Sequence, residues 1–255
     1  MNALNARQAP TAGAGRDVGG TGRRPASAVL ATPHACVIDA CAFARSGLTS
    51  LVAEQIVGAV LPLDCGAAYL QLSPAERARP VNVLVYRLPT ALAPLLDAVS
   101  FLRRFLNQHA QSTEPGQRPW VRVFLLTDLP PFWLYDTLRS GLYQEEALLS
   151  VSVLPARSQP QQVRAVLMCA LPGTQLVHLA LKAPTVKRPR GLNAGEVSVL
   201  RHLLVEDITI AAQAKLKGIS PKTLYSQRLS AMRKLGVRSL SGLFRWGVRV
   251  SEVQP

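Results

Sequence analysis

Acidic side chains are scarce in this chain: 15 Asp and Glu stand against 29 Lys and Arg, a formal net charge of +14. An excess of that size points to a polyanionic partner, nucleic acid first and an acidic membrane surface second, with plain solubility charge as the bland alternative. The imbalance is uneven. From Lys187 onward, 13 Lys and Arg face only Glu196, Glu206, Asp207 and Glu252, so nine of the excess charges sit in the last quarter. Cysteine is also sparse. Cys36, Cys41, Cys65 and Cys169 share no CxxC spacing, which argues against a zinc site and for small core thiols in a reducing compartment. No apolar run reaches the roughly 18–20 residues of a membrane span. The N-terminus lacks the positive-then-apolar order of a secretion signal, and a cytoplasmic location is expected. The four histidines (His34, His109, His178, His202) are scattered. No Gly-x-Ser-x-Gly, Walker loop or dinucleotide fingerprint is present, so neither catalysis, nor a cofactor, nor a metal is expected.

What is present is 255 residues with 48% hydrophobic side chains, enough for one large core or two smaller ones. Residues 1–33 are rich in Ala, Gly, Arg, Pro and Thr without periodicity, and are expected to form a disordered tail. Its four arginines (Arg7, Arg16, Arg23, Arg24) would add at most non-specific attraction to DNA. From there strands and helices alternate. Strands are predicted at 35–38, 81–86, 121–126 and 149–154, with a weak one at Leu70–Leu72 and a turn or loop at 73–80. Helices are predicted at 43–57, 91–109, 131–140 and 160–171, and the Glu-Pro-Gly-Gln at 114–117 breaks the chain. The alternation predicts an α/β fold, a doubly wound parallel sheet over residues 34–178. Active chemistry in such a sheet lies beyond the carboxyl ends of its strands, which here carry Asp39, Tyr86 or Arg87, Thr127 and Leu154–Pro155.

A basic, proline-broken linker covers 179–191, and a four-helix, all-α domain covers 192–255. Asn193 and Glu196 have capping-box spacing, and Thr209 is placed to cap a second helix ending near Gly218. The third helix starts with Ser220 as N-cap and Pro221 at the first position, and Gly236 follows its last apolar residue. Leu224, Leu229, Met232 and Leu235 are expected on its inner face. Its other face carries Lys222, Thr223, Tyr225, Ser226, Gln227, Arg228, Arg233 and Lys234 and no acid at all. A phosphate-lined groove favours such a face, although charge-rich faces are also commonly just solvated. A fourth helix is predicted at 242–250. Two of the helices flank a tight turn, the mark of a helix-turn-helix domain.

These residues resemble a known family. LNAGEVSVLRHLLVED and SPKTLYSQRLSAMRKLGV are similar to the LuxR-type helix-turn-helix that ends many bacterial response regulators, and the SAMRKLGV ending and Ser226-Gln227 most resemble the capsule-synthesis regulator B branch. Asp207 stands where the family has a glycine, and the Ile-Ala pair that opens the second helix is either Ile210-Ala211 or replaced by Gln213-Ala214. The opening IDACAFARSGL of residues 38–48 resembles the start of a receiver domain, whose two adjacent acids hold Mg²⁺. Here Asp39 remains and Ala40 replaces its neighbour. Tyr86 or Arg87 stands in place of the phospho-acceptor aspartate, Thr127 matches the receiver's threonine, and Pro155 or Ala156 replaces its lysine. Phosphoryl transfer to an aspartate needs a carboxylate nucleophile, a held divalent cation and a cation on the phosphoryl group. With those parts missing, the resemblance implies a degenerate receiver that is not phosphorylated.

By the same resemblance, Ser220, Lys222, Thr223, Tyr225, Ser226 and Gln227 lie toward the major groove, and Arg228, Arg233 and Lys234 nearer phosphates. Leu240, Leu243, Trp246 and Val250 are candidates for a dimer surface on the last helix, with a core role as the alternative for Leu243. The expected function is transcription regulation by binding double-stranded DNA as a homodimer, without aspartate phosphorylation and without a membrane. The N-terminal domain would dimerise or receive a signal. The alternatives are an interaction module that heterodimerises with an intact response regulator, and a small-ligand sensor in the vacated acidic pocket.

Overall fold

Five short runs rich in Val, Leu and Ile form one parallel sheet in the order β2-β1-β3-β4-β5: β1 (His34–Ile38), β2 (Val60–Leu63), β3 (Val81–Arg87), β4 (Arg122–Leu126) and β5 (Val151–Leu154). The computed structural model describes residues 34–77, 79, 81–111, 121–169, 172–182 and 190–245. The 1–33 tail, the 114–117 break, the 183–189 part of the linker, Trp246 and Val250 lie outside the described residues. All the described residues belong to one compact unit.

Alternate side chains of each strand enter opposite layers, as the two-residue period of a strand requires. Ala35, Val37, Val83, Val85, Phe124 and Leu126 pack under α1 (Ala42–Ala53) and α6 (Pro160–Met168). Ile38, Leu84, Tyr86, Val123, Leu125 and Val151 pack under α4 (Leu92–Gln111) and α5 (Pro131–Arg139). That second layer also holds α2 (Gly66–Gln71) and α7 (Leu176–Lys182), while α3 (Pro74–Arg77) is one exposed turn.

Several boundaries differ from the sequence reading, each for a physical reason. Leu70–Leu72 is not a strand but the end of α2 and its cap, because Tyr69 is drawn under Phe101 and Phe105 (ring centroids 5.6 and 5.7 Å). The stretch read as a loop at 73–80 contains α3, closed by Glu76, whose carboxylate accepts from Ser73 N and Oγ. Residues 58–69 carry no assignment from the sequence; they contain β2, although its Pro62 lacks the N–H of a ladder position. It is tolerated because β2 is the edge of the sheet, where a missing N–H faces no neighbour. Leu149 and Ser150 belong to a 3-10 turn (Glu145–Ser150) that precedes β5, and α6 stops at Met168 rather than 171.

Four helices follow: α8 (Ala194–Leu204), α9 (Ile210–Lys217), α10 (Pro221–Lys234) and α11 (Leu240–Phe244). α11 begins two residues before the expected start because Ser239 caps it, accepting from Gly242 N at 3.1 Å. α9 opens on Ile210-Ala211, with Ile210 buried beside Val199, Ala214 and Leu224. This helical part rests on α4. Helix α4 is buried nearly all round, with Leu92, Leu95, Leu96, Ala98, Val99, Phe101, Leu102 and Phe105 all inside, as befits a helix lying between two layers. Leu192, Val197, Leu200, Met232, Leu235 and Leu243 join the same apolar cluster as Trp133 and Leu96.

Polar contacts fix that join. The buried Arg103 of α4 donates to the carbonyl of Thr137, to Ser140 Oγ at 2.7 Å and to the carbonyl of Leu192 at 3.2 Å. Leu192 N donates to Thr137 Oγ1 at 3.0 Å, and Gly191 N to Asp136 Oδ2 at 2.8 Å. Arg201 of α8 pairs with Asp97 of α4 at 2.7 Å. A Cβ on Gly191 would lie 2.4 Å from Thr137 N and 2.7 Å from the Trp133 carbonyl, so the backbones meet there only because residue 191 is glycine.

Candidate nucleic-acid interface

Helix α10 is set by its caps as the sequence predicts. Ser220 Oγ accepts from Lys222 N at 3.2 Å, and Pro221 occupies the first position. At the other end Gly236 has φ +67, with Gly236 N donating to Arg233 O and Val237 N to Met232 O, the paired bonds of a Schellman ending. Gly218 closes α9 in the same way, so the turn between the two helices is three residues, Gly218 to Ser220.

Leu224, Ala231, Met232 and Leu235 are buried and hold α10 against α8 and α9. Leu229 is not on that face: it is 46% exposed. The five-residue step from Leu224 turns it roughly 140° round the helix, away from the core. It lies instead in line with Tyr225 and Arg233, four residues to either side, and beside Lys222 and Ser226. Lys222, Thr223, Tyr225, Ser226, Leu229 and Arg233 are all exposed and form the open side of the helix.

Three of the basic or amide residues assigned to DNA lie on the flanks of that side. Gln227 is half-buried against the start of α8, where a Cβ at Gly195 would sit 2.8 Å from its Nε2. The Arg228 guanidinium lies over the Tyr225 ring, 4.9 Å from the centroid, which steadies both side chains on the rim of the open face. Lys234 is committed internally: Nζ donates to Glu196 Oε2 at 2.8 Å and to the Gly191 carbonyl at 2.9 Å. Glu196 is 1% exposed, and it also accepts from Ser230 Oγ at 2.6 Å and Asn193 N at 2.8 Å. Every acceptor need of this buried carboxylate is therefore met by α8 and α10 themselves. Sequence spacing alone does not separate Lys234 from Arg233; the signal lies in Glu196, the only acid of α8.

On α11, Leu243 is buried in the shared cluster, whereas Leu240 is 39% exposed. Phe244, one turn after Leu240, is 66% exposed and was overlooked in the sequence, although the four-residue spacing from Leu240 marks it.

At the carboxyl ends of the strands, Tyr86 and Arg87 part company. Tyr86 turns into the second layer against Phe101, ring centroids 5.9 Å apart, and burial pushes its hydroxyl well above the ordinary tyrosine range. Arg87 takes the place beside Asp39, with Nε 3.2 Å from Oδ2, near enough for an ion pair but not aligned for a hydrogen bond. Asp39 is buried; its Oδ1 accepts from Cys41 N at 2.9 Å, and its carbonyl accepts from Arg45 Nη1 at 2.7 Å. Thr127 Oγ1 accepts from Leu129 N at 3.2 Å, a local turn bond. Asp128, next along the chain after β4, accepts from Ala156 N beyond the neighbouring β5 at 3.0 Å. Among the described residues no group of three or more His, Cys, Asp or Glu is placed to hold a metal ion, and no helix is long and apolar enough to cross a membrane.

No protein-family profile matches the sequence, and no curated protein matches it. Solved structures do. RcsB from Salmonella enterica serovar Typhimurium, bound to the promoter rprA in the presence of phosphomimetic BeF3-, is 21% identical, covers 84% of this chain and 97% of its own, and superposes with a TM-score of 0.50. An RcsB–DNA complex, 20% identical over the same shares of both chains, gives 0.48. The response regulator ChrA of a heme-sensing two-component system is 18% identical over 85% of this chain and 96% of its own, with a TM-score of 0.33. The likeness is one of fold: a receiver-like parallel α/β sheet followed by a mostly helical region, the architecture of the response regulators.

Proposed function

We propose that this protein is a non-catalytic transcription regulator that binds double-stranded DNA through α10 in the major groove and works without aspartate phosphorylation. The observation that carries the reading is that α10 presents Lys222, Thr223, Tyr225, Ser226, Leu229 and Arg233 to solvent while its opposite face is packed on α8 and α9. The side that would enter a groove is therefore open with the helical part docked on α4. Ser220 sets the N-terminus of the helix, Gln227 and Arg228 flank its open side, and Arg233 extends the basic edge toward phosphates. The N-terminal domain serves dimerisation or signal input. Leu240 and Phe244 favour α11 as the contact between two copies, with Trp246 and Val250 as the further candidates from the sequence. Independence from phosphorylation is supported by Arg87, whose guanidinium already neutralises Asp39 where a metal and a phosphoryl group would have to enter.

The test is sedimentation of the full chain with a pool of duplex DNA at low and moderate salt. Affinity should fall steeply with salt, and Lys222→Ala together with Arg233→Ala should reduce the slope of log K against log salt by roughly one unit for each phosphate no longer neutralised. Undiminished binding by the double variant would contradict the assignment of α10. Labelling by a small-molecule phosphodonor, abolished by Asp39→Asn, would contradict the phosphate-independent mode.

A further inference from the structure

A parallel sheet of order β2-β1-β3-β4-β5 reverses direction between β1 and β3, and ligands of doubly wound folds settle outside the strand ends at that reversal. The charges there in this protein are inverted relative to a cation pocket. One buried carboxylate, Asp39, is paired with the Arg87 guanidinium, while Arg45 donates to the Asp39 backbone carbonyl, so two cations stand against one anion at the mouth. Beside it a cleft of about 350 Å³ opens between α1 and α6, within the size range of small-molecule sites. Its walls are mixed: Leu48 and Leu51 from α1, Leu126 from the sheet, and Pro160 and Val163 from α6 are apolar, while Ser50, Glu54, Ser158 and two arginines are polar. Arg87 lies among these lining residues, with Nε buried toward Asp39 and its side chain 35% exposed. The other arginine of the cleft, Arg164, is held by Glu54 at 2.7 Å. Gly47 keeps the α1 side open, since a Cβ there would meet nothing within 4 Å.

We propose that this cleft binds a small amphipathic carboxylate, its apolar body against Leu48, Leu51 and Val163 and its head on the Arg87 guanidinium. Two guanidiniums against one carboxylate leave a single net positive charge, which suits a monoanion, and the leucines and valine on the walls suit an aliphatic or aromatic body rather than a sugar phosphate. The site stands whether or not α10 binds DNA.

Calorimetric titration of the full chain tests it, with octanoate and naphthalene-1-acetate as probes and their neutral amides as controls. Saturable binding of one equivalent of at least one carboxylate is expected, with its amide weaker by about tenfold or more, because a guanidinium left without its anion loses a charge-assisted bond. Gly47→Leu should abolish binding: it improves helix propensity, its Cβ meets nothing within 4 Å, and residue 47 lines the cleft. Arg87→Gln should lower the carboxylate to the level of its amide. Should that variant fail to fold because Asp39 is left alone, Asp39→Asn with Arg87→Gln removes both charges and reads the same preference. Absence of binding by both carboxylates up to about 5 mM, a range where even a weak site at millimolar Kd fills, overturns the proposal. So does equal affinity for acid and amide, or binding that survives Gly47→Leu.

Discussion

Asp207 sits at φ +51, a conformation that L-residues avoid and that Asp tolerates better than most. It occupies the position where the LuxR-type pattern that the sequence resembles has glycine, a residue that takes this conformation without strain. Asp207→Gly is expected to raise stability by about 0.5–1 kcal/mol in urea denaturation, the strain relieved being partly offset by a freer unfolded chain. A loss of stability would mean that the carboxylate makes a contact worth more than the strain. Lys234 carries a second prediction at this scale. Removing it leaves Glu196 buried with an uncompensated charge, so Lys234→Ala should cost about 3 kcal/mol of folding stability. Measured on folded protein, its DNA affinity should fall less than that of Arg233→Ala, because Nζ is already turned inward.

Among the elements, α4 explains most of the architecture and carries a histidine whose titration is readable. Burial holds His109 below its ordinary pKa of 6.5, against the opposing pull of the Phe105 carbonyl 2.9 Å from Nδ1. His202 is shifted the same way, by partial burial and by Lys217. In both cases the unfolded chain takes up the proton first. The stability they contribute is therefore complete above 6.5 and is lost as pH falls from there toward the folded values. Urea midpoints should drop between about pH 7.5 and about pH 5.5, and His109→Leu should flatten that decline; an unchanged slope would show that His109 stays neutral in both states over this range.

The elements also show what was legible. The strand at Val81–Arg87 and the helix at Leu92–Gln111 announce themselves by period, and the caps at Ser220, Asn193 and Thr209 by residue type. Strand β2 was hidden by Pro62, whose acceptability depends on an edge position that only the assembled sheet defines. α7 was hidden because its seven residues are too few to display a period, and its burial comes from α5. Leu229 was misplaced by counting apolar residues rather than angles. Arg87 was visible only as one of two candidates, since which of two neighbouring residues faces the strand end depends on a register that pairs Ile38 with Tyr86.

For the whole molecule, the continuous cluster from Leu96 and Trp133 to Leu200 and Met232 implies that the sheet and the helical part melt together. Calorimetry should record one cooperative transition, whereas two separable ones would show that the join contributes little. Gly191→Ala tests the same join locally: with backbone atoms 2.4 and 2.7 Å from the added methyl, something must move, at a cost of about 1–3 kcal/mol.

The docking of Gly191 and Leu192 on Asp136, Thr137 and Arg103 has a consequence for the stretch of chain that precedes it. Helix α7, which ends at Lys182, packs on α5, and the same α5 receives the chain again at Gly191. Both anchorages of the connecting tether are thus on one helix, so its length does not set where the helical part sits. Doubling that tether with Gly-Ser repeats would add only about 0.6 kcal/mol of closure entropy. An insertion between Lys182 and Arg190 is accordingly expected to leave the mutual pose of the two halves unchanged, so that a reporter placed there would read the protein without reshaping it.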